Sequence, residues 1–372
     1  MADSNALDKN ETAEEFLACT EQKLLGGILG MGIAMGMQTG LFDVMISLEG
    51  EPKTSQEIAD TGNFKERYVR EWLGCMTSAK IISCDSEGEK FWLPTHRAGI
   101  MDLKGLALTT PILCGGFHHV ADCFERDGPT GVSYSHYPKF DELMGIMQGP
   151  FFRDKLVQVV IPSIPQLLQQ LNDGIEVLDV GCGVGESTRI MASHFPKSNF
   201  YGLDFSQNAI DEAQSAAVQM GLTNVRFRRG DVTAMPAEWT GKFGYLFMNF
   251  VLHDLSFPAK AVQEMNRVLQ PNGALSVIET NGYSKLQDNL TKYEDQSRVN
   301  VEYTYSLYNC MPTSLFDGGA GLGAFWGREE AQKMLEKFHF EVLSVTEVTA
   351  DALHLMCRKP VAPIKIDELN LS

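Results

Sequence analysis

Residues 177–186, which read VLDVGCGVGE, decide the fold of this chain. The first four residues suit a short buried strand, and glycine then recurs at every second position before the polar start of a helix. A glycine-rich turn between a strand and a helix is where nucleotide-like ligands bind in open α/β sheets. The stretch therefore predicts an α/β domain that holds a ligand at this turn.

Strand and helix patterns alternate around and beyond this turn. We predict strands at 177–180, 200–204, 225–230, 243–247 and 274–279, helices at 186–194, 206–220, 258–269 and 329–337, and a closing hairpin of 341–348 and 353–358. Such alternation is typical of a doubly wound sheet. We therefore expect residues 171–359 to form a Rossmann-like, doubly wound, mainly parallel sheet with an antiparallel edge strand.

The chain before this domain is rich in helix patterns. A capping pattern opens a helix at 54–59, an amphipathic helix follows at 64–78, and residues 81–94 suggest a hairpin. The face predicted for the amphipathic helix is formed by Tyr68, Val69, Trp72, Leu73 and Met76. Helix, helix and hairpin indicate an α-rich winged-helix domain, which we place at 16–102 and expect to dimerise. The remaining predictions are a disordered tail at 1–15, a helical linker and lid at 103–170, and a second tail at 360–372.

The acids around the glycine turn indicate which ligand it holds. A dinucleotide fingerprint needs a small residue where this chain has Glu186, and both Glu186 and Asp179 would repel a phosphate. S-adenosylmethionine has no phosphate and carries a positive amino group and a sulfonium, so the acids suit it. We expect Asp179 to orient the turn and attract the amino end, while Gly181, Gly183 and Gly185 let the backbone approach the ligand.

Acids at the next two strand ends fit the rest of this cofactor. Asp204 lies nineteen residues after the last glycine of the turn, where a carboxylate reaches both ribose hydroxyls. Asp231 and Val232 follow the third strand and are predicted to meet the adenine amine and ring. Phe205 and Asn249, at the ends of the second and fourth strands, complete the predicted cofactor site.

Residues 176–280 resemble the catalytic domain of class I methyltransferases. The chain from about 20 to 358 resembles the winged-helix methyltransferases of a mycobacterial enzyme group and its metazoan relatives. This resemblance is carried by ERYVREWL at 66–73, GVSY at 131–134 and GAGLGAFWG at 319–327. It implies methyl transfer from S-adenosylmethionine to a small-molecule acceptor.

His253 is the candidate catalytic base, in the segment NFVLHDL that follows the fourth strand. This segment is similar to the His-Asp segment of plant small-molecule O-methyltransferases, which implies that His253 is a base bracketed by Glu279. The third carboxylate of those enzymes falls on Phe325 here. The alternative is that His253 and Asp254 only begin a helix, with Asp254 as its cap. A hydroxyl acceptor is slightly favoured, and a thiol or an amine remains open.

Two other cysteine features receive simpler interpretations. Cys114, His118, His119 and Cys123 would point to opposite faces of one helix, since residues advance about 100° each, so we predict no metal site there. We expect Cys310 to be an inert buried thiol more than a substrate-contacting one.

The charge and cysteine content limit the partners and the location. The formal net charge is −17, and the only Lys/Arg cluster in the sequence is Arg226, Arg228 and Arg229 in one short predicted strand, so we expect no nucleic-acid partner. Eight scattered cysteines behind a polar, acidic N-terminus favour a cytoplasmic protein with reduced thiols. Residues 24–42 carry no charge, and we interpret them as a buried or homodimer-forming helix rather than a membrane span. Two rival functions are an S-adenosylmethionine-sensing winged-helix transcription regulator and a silent cofactor-binding subunit.

Overall fold

The computed structural model describes residues 11–316 and 318–361. It separates into two units, Met1–Gly115 and Gly116–Ser372. Most of the two predicted tails, at 1–10 and 362–372, lies outside the described residues. The expectation of disorder is wrong at the end of the first tail, because a helix begins at Ala13 behind a Thr12–Glu15 capping box.

The first unit has a winged-helix layout, as predicted. Its helices are α1 (Ala13–Thr39), α2 (Leu41–Ser47), α3 (Ser55–Gly62), α4 (Glu66–Ser78) and the start of α5 (Lys104–Asp122), with a 3₁₀ helix at Thr95–Leu103. Its strands are β1 (Lys53–Thr54), β2 (Ser83–Cys84) and β3 (Lys90–Trp92), which form an antiparallel sheet in the order β1-β3-β2. The predicted cap is present, since the Thr54 side chain accepts from the Glu57 backbone and Glu57 bonds back.

The buried face of α4 is narrower than its sequence pattern indicates. Val69, Trp72, Leu73 and Met76 are buried, but Tyr68 is 75% exposed. The prediction for Tyr68 is therefore wrong. A side chain one position before Val69 is turned by about 100° from it, which carries Tyr68 outside the stripe.

The uncharged segment 24–42 behaves differently in its two halves. In the second half Gly36 lets the helix meet its neighbours, since a Cβ there would lie 2.5 Å from Trp72 and 2.7 Å from Phe42. The Trp72 indole also donates to the Gly32 carbonyl at 3.0 Å. In the first half the large side chains of α1 are exposed, with Ile28 at 71%.

One described helix, Thr95–Asp122, is long and apolar enough to cross a membrane by length and composition. The pair α1 and α2 passes the same test only together and is bent by 70°. One or two such helices are weak evidence for a span, because helices of proteins without spans also pass.

The second unit is an α/β domain. Its helices after α5 are α6 (Phe140–Phe151), α7 (Ile161–Ser163), α8 (Leu167–Asp173), α9 (Glu186–His194), α10 (Gln207–Gln219), α11 (Pro258–Val268), α12 (Leu286–Lys292), α13 (Gln296–Tyr305), α14 (Met311–Leu315) and α15 (Gly327–Lys337). Two π-helical segments occur at Phe152–Val160 and Ser306–Cys310, and short 3₁₀ turns at Tyr134–His136, Ala237–Trp239 and Leu252–Asp254. Its strands are β4 (Glu176–Val180), β5 (Asn199–Asp204), β6 (Val225–Arg229), β7 (Phe243–Asn249), β8 (Leu269–Thr280), β9 (Glu341–Glu347) and β10 (Ala352–Arg358).

The seven strands form one sheet in the order β6-β5-β4-β7-β8-β10-β9. Strands β4 to β8 pair in parallel, whereas β10 pairs antiparallel with both β8 and β9. The Rossmann-like prediction is confirmed, and the closing hairpin supplies two antiparallel strands. Separate buried apolar clusters cover parts of the sheet, one with α11 and α15 and the other with α8 and α9.

The sheet order positions the ligand site. From β4 the chain first builds outward through β5 and β6 and then returns to add β7 on the other side. Ligands bind outside the carboxyl ends of the strands at such a reversal. Asp179, Asp204, Asn249 and Glu279 stand at the carboxyl ends of parallel strands, so the fold brings these predicted residues to one edge.

Candidate active site

A cavity of about 1340 Å³ opens at this edge of the sheet. A single ligand pocket usually measures about 300–1,000 Å³, so there is room for a cofactor and an acceptor together. Eight of the nine predicted cofactor residues line it: Asp179, Gly181, Gly183, Asp204, Phe205, Asp231, Val232 and Asn249. The ninth, Gly185, has a different function, because it ends the turn at φ +73° and a Cβ there would lie 2.5 Å from the Phe227 ring.

Asp204 has a hydrogen-bonding arrangement that suits a ribose. One carboxylate oxygen accepts from the Gly183 backbone and the other from the Ser206 backbone, both at 2.9 Å. An ionised carboxylate offers about four acceptor positions, so two remain for a pair of neighbouring hydroxyls. Burial raises the pKa of Asp204, while the two backbone donors oppose that rise.

Gly183 and Asn249 also leave room and polar atoms for a ligand. A Cβ on Gly183 would meet no atom within 4 Å, so the backbone there faces open space. The Asn249 amide nitrogen donates to Gln148 at 3.1 Å, but its Oδ1 is buried without a hydrogen-bond partner in the described chain. A buried unpaired amide oxygen at a cavity wall is costly unless a ligand supplies the donor. The residues present therefore fit S-adenosylmethionine, whose amino and hydroxyl groups are donors.

Asp179 serves mainly to hold the turn in place. Its Oδ2 accepts from the Ser187 hydroxyl at 2.5 Å and from the Thr188 hydroxyl at 2.6 Å, both in the first turn of α9. The side chain is almost fully buried, and burial raises its pKa to about 6 despite the two hydroxyl donors. The predicted orienting role has this direct contact, and attraction of the amino end stays a prediction.

The predicted adenine contacts lie on the cavity wall beyond β6. One Asp231 oxygen accepts from the backbone and hydroxyl of Thr233 at 2.7 and 2.8 Å. Val232 is buried beside it, and Phe205 is 60% exposed with its ring 5.6 Å from that of Tyr134. An exposed aromatic ring and a valine at one wall can enclose a flat heterocycle.

His253 lies between two carboxylates. Its Nδ1 is 2.5 Å from Glu279 and its Nε2 is 3.2 Å from Asp254. Burial alone would lower the pKa of His253, but the charges of Asp254 and Glu279 outweigh it and raise the pKa well above the ordinary range. The predicted association of His253 with Glu279 is therefore present, and Asp254 is a second charged partner. The capping alternative is wrong, because the N-cap residue is Val251 for the 3₁₀ turn and Phe257 for α11.

Tyr134 and Cys310 adjoin the Asp254 side of this imidazole. The donor and acceptor atoms of His253, Asp254 and Cys310 lie within 4.8 Å of one another, and no other group of this kind occurs among the described metal-ligating side chains. Burial raises the pKa of the Cys310 thiol to about 12 and that of Tyr134 well above its usual range. Cys310 is thus buried, as expected, but it belongs to the polar cluster. Since carboxylates already face both ring nitrogens, we assign the cluster to proton handling.

Sequence reasoning missed Glu302, a carboxylate on α13. Burial raises its pKa to about 7, opposed by the charges of Arg298 and His253, so it lies within electrostatic reach of the imidazole. Phe325, where the resemblance placed the third carboxylate, instead packs edge-on against Tyr303 at 4.7 Å. A spacing signal could not find Glu302, because it reaches the site from a helical segment between β8 and α15.

The segment from Cys114 to Cys123 has no assembled metal cluster among the described residues. The helix α5 carries Cys114, His118 and His119, but Cys123 lies one residue beyond its end, so the prediction of one helix for all four is wrong at Cys123. The His119 ring lies against that of His136, with centroids 3.7 Å apart and planes tilted by 37°, and the Cys123 thiol donates to the His119 carbonyl at 3.2 Å.

The cavity wall is acidic and aromatic. Eight carboxylates line it: Asp141, Glu142, Asp179, Glu186, Asp204, Glu212, Asp231 and Asp254. Only two lysine or arginine side chains, Lys139 and Arg229, do so among the described residues. Part of the acidity belongs to the predicted cofactor contacts, and aromatic residues such as Phe257 and Phe316 line the same cavity as Asp254. The wall therefore suits a flat acceptor without negative charge.

Comparisons with known proteins agree with this geometry. Residues 171–347 match the family described as a methyltransferase domain, and residues 27–102 match the Rv2258c-like winged HTH domain. The demethylmenaquinone methyltransferase of Staphylococcus aureus is 27% identical over 196 residues, which cover 49% of this chain and 75% of that protein. Among solved structures, the mitomycin 7-O-methyltransferase MmcR has a TM-score of 0.70 at 16% identity, over 94% of this chain and 100% of that one. Human N-acetylserotonin methyltransferase in complex with S-adenosylmethionine has a TM-score of 0.62 at 14% identity, over 95% and 99%.

The chain is an S-adenosylmethionine-dependent methyltransferase that carries an N-terminal winged-helix domain. The regulator alternative is not favoured, because the catalytic domain is matched along nearly its full length. Gly183, Asp204 and Asn249 would hold the cofactor, which when bound supplies a methyl group activated on a sulfonium.

Proposed function

We propose that this methyltransferase methylates a hydroxyl group of an aromatic small molecule. The observation that carries the proposal is the cluster of His253, Asp254 and Glu279 beside the cofactor cavity. A hydroxyl must lose its proton during attack on a methyl group, so it needs a nearby base. A thiol near neutral pH needs such a group much less, since part of it is already ionised.

The relatives support the same class of acceptor. MmcR is described as a 7-O-methyltransferase, and NcsB1 is an O-methyltransferase solved with a hydroxylated naphthoic acid. The NcsB1 structure has a TM-score of 0.61 at 14% identity to this chain. The aromatic and acidic wall narrows the proposal for this chain to neutral or cationic phenols.

A cofactor-consumption assay tests this function. The purified chain is given S-adenosylmethionine and matched panels of phenols, amines and thiols, and S-adenosylhomocysteine is measured. Turnover should be highest with uncharged phenols, and a phenol carrying a carboxylate should be a poorer substrate than its amide. Turnover confined to amines or thiols would contradict a hydroxyl acceptor.

We further propose that the chain is a homodimer joined through the first half of α1. Leu24, Leu25 and Ile28 are 66%, 50% and 71% exposed and lie on one side of α1. A contiguous apolar helix face of this kind usually marks an interface.

A charge introduced into the apolar face of α1 tests the dimer. Ile28→Glu should convert a dimer into a monomer in light scattering at micromolar concentration, because a buried unpaired carboxylate is strongly unfavourable. Lys23→Gln, a change at an exposed position about 140° around the same helix from Ile28, is the control and should leave the mass unchanged. A wild-type monomer would refute the proposal directly.

We propose that the winged helix does not bind nucleic acid and that the protein is cytoplasmic. The hairpin tip exposes Glu87 and Glu89 against Lys90, which opposes phosphate contact. All eight cysteines are free, which suits a reducing compartment. A low-salt gel shift and imaging of a tagged chain test the two statements.

A further inference from the structure

His253 and Asp254 differ in their access to the cavity. Asp254 lines it together with its neighbours Leu255 and Ser256, whereas His253 and Glu279 are absent from its described lining. The exposed fraction is 4% for His253 and 1% for Glu279. The Asp254 side chain retains 18% exposure although its Oδ1 is fully buried, so the accessible part lies elsewhere on that side chain. An acceptor in the cavity therefore meets Asp254 before it can meet the imidazole.

The contacts of the imidazole determine its protonation. Glu279 faces Nδ1 at 2.5 Å and Asp254 faces Nε2 at 3.2 Å. Two negative charges this close to one ring favour its positively charged form, so the imidazolium, with a proton on each nitrogen, is the stable state. An imidazolium has no free lone pair with which to remove another proton.

We propose that Asp254 is the catalytic residue that takes the proton of the acceptor hydroxyl, and that His253 is a positioning residue behind it. This inference rests on the proposed hydroxyl methylation. The Nε2–Oδ1 contact is an ion-pair contact rather than an aligned hydrogen bond, since Oδ1 has no hydrogen-bond partner in the described chain. The carboxylate also accepts hydrogen bonds from the Cys310 and Tyr134 side chains. Because an ionised carboxylate offers about four acceptor positions, it keeps capacity for the acceptor hydroxyl while the cation holds it ionised.

The chemical step balances on these groups. The acceptor oxygen forms a bond to the methyl carbon as the carbon–sulfur bond breaks, and that electron pair remains on sulfur. The hydroxyl proton passes to Asp254. Before the step, the two carboxylates of Asp254 and Glu279 and the imidazolium of His253 carry a net charge of −1. Protonation of Asp254 makes this group of three neutral, so the step creates no new charge in the buried site.

The titratable groups around Asp254 act on its pKa in both directions. Burial raises the pKa of Asp254, which makes it a stronger base, whereas the positive His253 and hydrogen bonds from Cys310 and Tyr134 limit the rise. Tyr134 and Cys310 also adjoin Asp254, and burial keeps both protonated near neutral pH because it raises their pKa values. Glu279 and Glu302 act on the far side through the imidazole.

Rates for a series of phenols of falling pKa test the assignment in wild type, Asp254→Asn, Asp254→Glu and His253→Gln. Asp254→Asn should lower kcat by about 10²–10⁴-fold for weakly acidic phenols. The deficit should shrink as the phenol becomes acidic enough to ionise unaided. Asp254→Glu should restore part of the rate. Affinity for S-adenosylmethionine, measured by calorimetry, should stay within about threefold of wild type in each variant and reports that the variants fold.

His253→Gln discriminates the two roles. With Asp254 as base, this variant keeps an acid limb in its pH–rate profile and moves it to higher pH, because loss of the cation raises the pKa of Asp254. With His253 as base, the variant would lose the limb, and Asp254→Asn would remain active; that result overturns the inference but leaves the hydroxyl function intact. A deficit in Asp254→Asn that is equal for all phenols would also overturn it, since it would indicate positioning alone. A wild-type enzyme that methylates no hydroxyl would instead refute the proposed function.

Discussion

Asp204 should contribute a large share of cofactor affinity, and its contacts allow the effect to be estimated. Two of its acceptor positions are occupied by the backbones of Gly183 and Ser206, which leaves two for the ribose hydroxyls. Hydrogen bonds to a charged group contribute about 1.5–3 kcal/mol each. Water entering the space left by Asp204→Ala would solvate the hydroxyls, so we take the lower end, roughly 3 kcal/mol in total. That corresponds to about a hundredfold weaker binding.

Isothermal titration calorimetry with S-adenosylmethionine at pH 7 measures this effect. Asp211→Ala is the matched control, since Asp211 lies exposed on α10 and accepts only from Gln207 at 2.7 Å. Its affinity should equal that of wild type. Thermal melting of both variants separates a damaged turn from a lost ligand contact. If Asp204→Ala bound the cofactor as tightly as the control, Asp204 would not hold the ribose, and the cofactor orientation inferred from it would be wrong.

Two further predictions concern the turn and the acid stability of the domain. Gly185→Ala should destabilise the protein by roughly 2–4 kcal/mol in urea unfolding, because the new Cβ combines a φ of +73° with a clash against Phe227. Gly183→Ala carries the strain of a φ of +52° but no clash, so it should destabilise the fold less and act mainly on cofactor binding; equal unfolding midpoints would contradict this. Burial lowers the pKa of His354 from 6.5 to about 4, so the folded state resists its protonation and stability should fall as pH drops from 6.5 towards 4, by on the order of 3 kcal/mol at most. His354→Gln should flatten this part of the stability–pH curve, and an unchanged slope would show that other groups cause it.

The predicted strands and helices of the catalytic domain agree closely with those observed. The helix after the turn begins and ends at the predicted residues, Glu186 and His194. The agreement has a local cause, since short apolar runs, glycine turns and amphipathic helices are each encoded within a few residues. The cofactor residues were predictable for a related reason, because they occupy the ends of parallel strands and the topology brings those ends together.

Two positions were not predicted correctly from the sequence, because their surroundings depend on how separate elements pack together. Tyr68 continues an apolar pattern but lies on the exposed side of α4. Glu302 interacts electrostatically with His253, whereas Phe325, where the resemblance placed a carboxylate, packs against Tyr303. Neither position carries a local signal, because burial and electrostatic proximity depend on which elements pack together.

The fold class, the winged-helix domain and the cofactor could all be predicted from the sequence, together with the strand ends where the candidate cofactor residues lie. These depend on periodicity and on motifs whose chemistry is contained in a single strand–turn–helix unit. The arrangement of the proposed catalytic residues depends on the tertiary structure. The sequence shows His253 followed by Asp254, and either could face the acceptor. The fold places Glu279 against one nitrogen of the imidazole and turns Asp254 to the other nitrogen and to the cavity, and a proton's position depends on those distances rather than on the order of residues.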